Sequence, residues 1–93
     1  MTATVALVTG ASRGIGRAIA MELTRQGMTV IGTATSESGA ASITEAIKAA
    51  GGAGWGAALD VRDAAGVDAL LADIETKTGS AITVLVNNAG ITR

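Results

Sequence analysis

Apolar residues along the chain alternate between two spacings. Residues 4–8 (TVALV), 29–32 (TVIG), 56–60 (GAALD) and 82–86 (ITVLV) are short blocks of β-branched, aliphatic or small side chains, and they read as strands buried on both faces. Residues 56–60 give the weakest of these signals and residues 82–86 the strongest. Between the blocks the apolar positions recur at helical spacing. Residues 14–26 set Ile15, Ile19 and Leu23 four apart, and residues 37–50 put Ile43, Ala46, Ile47 and Ala50 on one face. After Asp63, a suitable N-cap, Val67, Leu70, Leu71 and Ile74 follow an i, i+3, i+4, i+7 pattern. Gly27, the Gly51-Gly52 pair and Gly79 stand where these helices should stop.

The predicted order is βαβαβαβ. Strands joined through helices run parallel, and such crossovers are right-handed. The expected fold class is therefore α/β, a Rossmann-like parallel half-sheet with strand order 3-2-1-4. The first two crossovers step one way and place their helices on one face. The third steps back past the first strand and places its helix on the other. The reversal between strands one and four opens a crevice at the carboxyl ends of the strands, where open α/β sheets bind ligands. The segments 10–16 and 87–90 both fall there.

Composition narrows the chemistry. Of the 93 residues, seven are Lys or Arg and eight are Asp or Glu, scattered without a basic stripe, which disfavours a nucleic-acid partner. With no Cys and no His, the chain has no disulfide, thiolate, imidazole base or zinc-finger ligand set, and no metal site is expected. No apolar run approaches membrane-spanning length, and the first residues lack the pattern of a secretory signal, so the expected location is the cytoplasm. Trp55, the only aromatic residue, stands among Gly and Ala and reads as half-exposed packing.

Gly10-Ala11-Ser12-Arg13-Gly14-Ile15-Gly16 follows a strand and opens a helix. Glycines at this spacing allow a tight turn and close approach of the backbone to a ligand. Free N–H groups and the positive end of the helix favour a pyrophosphate. The spacing is GxxxGxG rather than GxGxxG, and an ordinary Gly-rich turn is the competing account. The second strand ends in Gly32-Thr33-Ala34-Thr35 without the acid that would bind a free ribose 2′-hydroxyl and repel a 2′-phosphate. Arg13 reads either as a phosphate ligand or as a solvated charge. Asp60 reads either as a ligand contact or as a turn carboxylate.

Residues 9–16 (TGASRGIG) together with residues 87–90 (NNAG) resemble the paired signature of the short-chain dehydrogenases/reductases. Residues 30–37 (VIGTATSE) and 87–93 (NNAGITR) resemble, more narrowly, bacterial 3-oxoacyl-[acyl-carrier-protein] reductases. The resemblance covers the whole chain. It implies NADP(H) as cofactor, held by Gly10, Ala11, Ser12, Arg13, Ile15, Thr35, Asp60, Val61, Asn88 and Gly90. In this scheme Arg13 and Thr35 take the 2′-phosphate, and Asp60 accepts a bond from the adenine amino group. Val61 adds a backbone contact, Asn88 touches the cofactor, and Gly90 makes room for a ribose. Asp60 is a mild departure, since the acyl-carrier reductases can carry Asn there. The resemblance also implies an acyl-carrier-protein-linked substrate, a role in fatty acid biosynthesis and a homotetramer.

The family's chemistry uses a Ser and a Tyr-x-x-x-Lys pair located beyond the NNAG motif. This chain has no Tyr, and Lys48 and Lys77 fall on predicted helices outside the crevice. Residues 1–93 are therefore expected to be the N-terminal cofactor-binding part of one Rossmann-fold domain, inactive alone, with the catalytic part absent. The fourth strand would then have a bare edge and a tendency to associate through it. The alternative is a non-catalytic half-Rossmann module that binds a nucleotide or assembles with itself.

Overall fold

A computed structural model describes residues 4–12, 14–60 and 62–87. Strand β1 (Val5–Val8) leads through α1 (Gly14–Arg25) to β2 (Thr29–Ala34), and α2 (Glu37–Ala49) leads to β3 (Ala53–Ala58). Helix α3 (Ala64–Thr78) then returns the chain to β4 (Val84–Val86). All the strand pairs are parallel, in the order β3-β2-β1-β4. The predicted topology is the observed one.

Alternation along the strands divides the core between the two faces of the sheet. Ala6, Val8, Val30 and Ala34 pack with Ala11, Ala20, Ile43 and Ile47, which puts α1 and α2 on one face. Val5, Leu7 and Ile31 pack with Ile74 of α3 on the other. Where α2 crosses the sheet the approach is close. A Cβ at Gly32 would stand 2.9 Å from Ile43 Cγ2, and one at Gly56 would run into the Ala40 carbonyl. Only glycine lets backbone and helix come this near.

The helix faces differ from the sequence reading in detail. Helix α1 buries Gly16, Ala20 and Thr24, one position beyond the predicted Ile15, Ile19, Leu23 stripe. Ile15 is 73% exposed, while Ile19 and Leu23 are half-buried. Small residues face the sheet because α1 lies close on it, and the large aliphatics flank the contact. In α2, Ala40, Ile43 and Ile47 are buried while Ala50 is exposed. Of the predicted α3 set only Ile74 is buried, and Val67, Leu70 and Leu71 are half-buried.

Two strands have shifted limits. β3 spans Ala53–Ala58 rather than 56–60, because pairing with β2 from Thr29↔Ala53 onward overrides the weak strand preference of its glycines. β4 covers Val84–Val86, and the Thr83 amide donates to the Val5 carbonyl at 3.0 Å just ahead of it. Among the described residues β4 pairs only with β1, and Leu85 is 66% exposed on the face that α3 covers. No helix of the described residues is long and apolar enough to cross a membrane.

Candidate functional site

The loop between β1 and α1 is anchored from two sides. Gly10 and Gly14 both have positive φ, 65° and 69°, which side-chain-bearing residues rarely adopt, and these two bends turn the chain out of the sheet and into the helix. On the β4 side, the Thr9 amide donates to the Val86 carbonyl at 3.0 Å and the Thr9 hydroxyl to Asn87 Oδ1 at 3.3 Å. On the β2 side, the Gly10 amide donates to Thr33 Oγ1 at 3.3 Å, and the Ala11 amide donates to the Thr33 carbonyl at 2.8 Å. Thr33 is buried.

These bonds sort the loop's donors. The amides of Gly10 and Ala11 point at β2, so contact from either to a ligand would come from other atoms. Donors for an anion must come from Ser12 onward, where the chain enters α1 with no acid in its first turn. Ile15 stands exposed in that turn, at the rim.

Next to Ser12 lies an open cleft of about 350 Å³, lined by Ser12, Ala34, Thr35, Ser36, Ser38, Gly39 and Ser42. Its side chains are hydroxyls and one methyl, with no carboxylate among them. Ser36 is the N-cap of α2, and its Oγ accepts from the Gly39 amide at 3.1 Å. A Cβ at Gly39 would lie 2.7 Å from the Ala34 Cβ, so the first turn of α2 sits directly on the end of β2. Ser12 and Thr35, both predicted site residues, meet in this cleft.

β3 delivers Asp60 to the same edge. The Leu59 amide donates to the Ala34 carbonyl at 2.8 Å, so the chain leaves β3 beside the end of β2. The Asp60 carboxylate is gripped by Arg62. Arg62 Nε donates to Oδ1 and Nη2 to Oδ2, each at 3.1 Å, and the Arg62 amide donates to Oδ1 at 3.0 Å. The Arg62 side-chain bonds, then its amide, hold the Asp60 carboxyl below the ordinary carboxylate range. Asp63 takes the N-cap position of α3 as expected, but its side chain makes no capping bond.

Of the predicted site residues, the fold thus brings Gly10, Ala11, Ser12, Ile15, Thr35 and Asp60 to one edge of the sheet. Arg13, Val61, Asn88 and Gly90 lie outside the described residues. Thr33 and the serines of α2 were not singled out by sequence reasoning. Ser36 carried a signal, a hydroxyl directly before a helix. Thr33 carried none, because its partners are more than twenty positions away.

The profile of the family described as short chain dehydrogenase matches residues 4–93. The chain is 60% identical over 89 residues to a 3-oxoacyl-[acyl-carrier-protein] reductase of Vibrio harveyi, covering 96% of this chain and 35% of that protein. It is 58% identical over 89 residues to the reductase of that name from Pseudomonas aeruginosa, covering 96% of this chain and 36% of that one. To that of Haemophilus influenzae it is 52% identical over 93 residues, all of this chain and 37% of the relative. The chain thus spans about a third of the length of these curated relatives.

Proposed function

Because the chain belongs to the short chain dehydrogenase family, we propose that it forms the NADP(H)-binding part of an oxidoreductase that reduces 3-oxoacyl groups carried on acyl carrier protein. The observation that carries the choice of cofactor is the cleft between Ser12 and the first turn of α2. It offers hydroxyls from Ser12, Thr35, Ser36, Ser38 and Ser42 and no carboxylate. An acid at the end of β2 would favour a free ribose hydroxyl, whereas neutral donors beside a helix N-terminus suit a phosphate ester.

In this reading the amides from Ser12 into α1 hold the pyrophosphate. Arg13 and Thr35 hold the 2′-phosphate, since a guanidinium pairs readily with phosphate oxygens. Gly10, Ala11 and Ile15 shape the path of the dinucleotide. Asp60 and Val61 meet the adenine, Asn88 touches the cofactor, and Gly90 makes room for a ribose. The bound cofactor supplies a hydride to the β-carbonyl. The residues of this chain bind and orient, and the groups that handle the proton belong to the part of the relatives' length that this chain does not span. Residues 1–93 are then the N-terminal part of a single Rossmann domain, without activity by themselves. We assign the complete protein to the cytoplasm, to fatty acid biosynthesis and to a homotetramer.

The test is calorimetric titration of the full-length protein with NADPH and NADH, for the native sequence and for Thr35→Asp. The native protein should bind NADPH more tightly by about tenfold or more, the scale of a charge-assisted hydrogen bond. Thr35→Asp should remove that preference. Equal binding of the two cofactors by the native protein would overturn the NADP(H) assignment.

A further inference from the structure

The grip of Arg62 on Asp60 leaves the carboxylate with a defined remainder. A carboxylate offers about four lone-pair sites. Oδ1 accepts from both the Arg62 amide and Arg62 Nε, and Oδ2 accepts from Nη2 alone. One acceptor direction on Oδ2 is left. The backbone under the pair is also fixed, because the Asp63 amide donates to the Asp60 carbonyl at 2.9 Å.

We propose that Arg62 is a positioning residue, which turns the Asp60 carboxylate so that its one remaining acceptor meets an exocyclic amino group, and thereby sets a preference for adenine over purines lacking that group. The proposal rests on the reading above that Asp60 meets the adenine of the cofactor. A purine carrying a carbonyl at the same ring position would bring an acceptor against an acceptor and lose about one charge-assisted hydrogen bond. Without the guanidinium the carboxylate keeps only the Arg62 amide as a tether and rotates about its own bond. The pair is exposed, with the Arg62 side chain at 87% and that of Asp60 at 52% of full accessibility, so it adds little to folding and its geometry is what matters. Lysine would keep the charge but not the fork.

The experiment measures dissociation constants of the full-length protein for NADPH and for its hypoxanthine analogue, and takes their ratio. It compares the native sequence with Asp60→Ala, Arg62→Gln and Arg62→Lys. All three substitutions are at exposed positions, and circular dichroism checks their folding. Asp60→Ala should abolish the adenine preference, a change of about tenfold for one charge-assisted hydrogen bond. Arg62→Gln and Arg62→Lys should each lower the preference about threefold or more, with less effect on affinity for the hypoxanthine form. If Asp60→Ala abolishes the preference while Arg62→Gln leaves it intact, the positioning role is wrong and the Asp60 reading stands. Full preference in Arg62→Lys would replace the fork by simple charge and overturn the proposal. An unchanged preference in Asp60→Ala would remove the reading on which the proposal depends.

Discussion

The two faces of the sheet are built to different standards. On the α1–α2 face, glycine and alanine let helix and strand backbones approach until no methyl group could be added at Gly32 or Gly56 without displacement. Ile43 and Ile47 are buried there, and α2 begins with a hydroxyl cap. On the other face α3 buries Ile74 alone, its cap residue makes no side-chain bond, and Leu85 is exposed beside it. The cleft beside Ser12 draws its walls from the first face. The β1–α1 loop therefore rests on the more closely packed of the two faces.

The largest expected effect tests this contrast directly. Ile47→Ala should destabilise by about 4 kcal/mol, and Ile74→Ala by about 2 kcal/mol, the upper and lower parts of the range for such truncations. Ile74 is as fully buried as Ile47, but its neighbours Trp55, Leu70, Leu71 and Ile82 are only partly buried and can move into the cavity, whereas α2 is held close on the sheet around Ile47. Urea unfolding of both variants reads the difference, and equal losses would break the comparison.

Glycine substitutions sharpen it. Gly56→Ala should cost about 2 kcal/mol as the new methyl group pushes α2 off the sheet. Gly66→Ala, in the first turns of α3, would crowd only the movable Asp63 carboxylate, its Oδ2 at 3.0 Å, and would touch Leu59 Cδ1 at an ordinary 3.6 Å. It should gain about 0.5 kcal/mol from helix preference. Thermal unfolding of the pair should therefore move in opposite directions.

The smallest effect concerns the caps. Ser36→Ala removes a bond to the Gly39 amide and should cost about 1 kcal/mol. Asp63→Ala removes no capping bond and should stay within about 0.5 kcal/mol of the native stability. A comparable loss at Asp63 in denaturant titrations would mean that α3 is capped after all.

Element order, strand order and the division of helices between faces were legible because they follow from spacing and from the handedness of crossovers. The limits of β3 were not, since Gly54 and Gly56 have poor strand preference and are fixed by their partners in β2. The buried stripe of α1 was misread for a related reason. Hydrophobic periodicity identifies large apolar side chains, but close packing places Gly16, Ala20 and Thr24 at the contact and leaves Ile15 outside. The candidate site was legible as a set of strand ends and glycines. Its internal wiring was not, because the bonds from Gly10 and Ala11 to Thr33 join residues that no local pattern connects.

That wiring bears on the entropy of association. The first two amides of the loop are already bonded to Thr33, and Thr9 is bonded toward β4, so the opening turn is ordered by folding itself. Fixing a backbone residue costs roughly 1–2 kcal/mol, and a ligand held at Ser12 as proposed would find that cost already met for the residues before it. Under the proposed function, the buried Thr33 hydroxyl thus turns folding stability into readiness to bind.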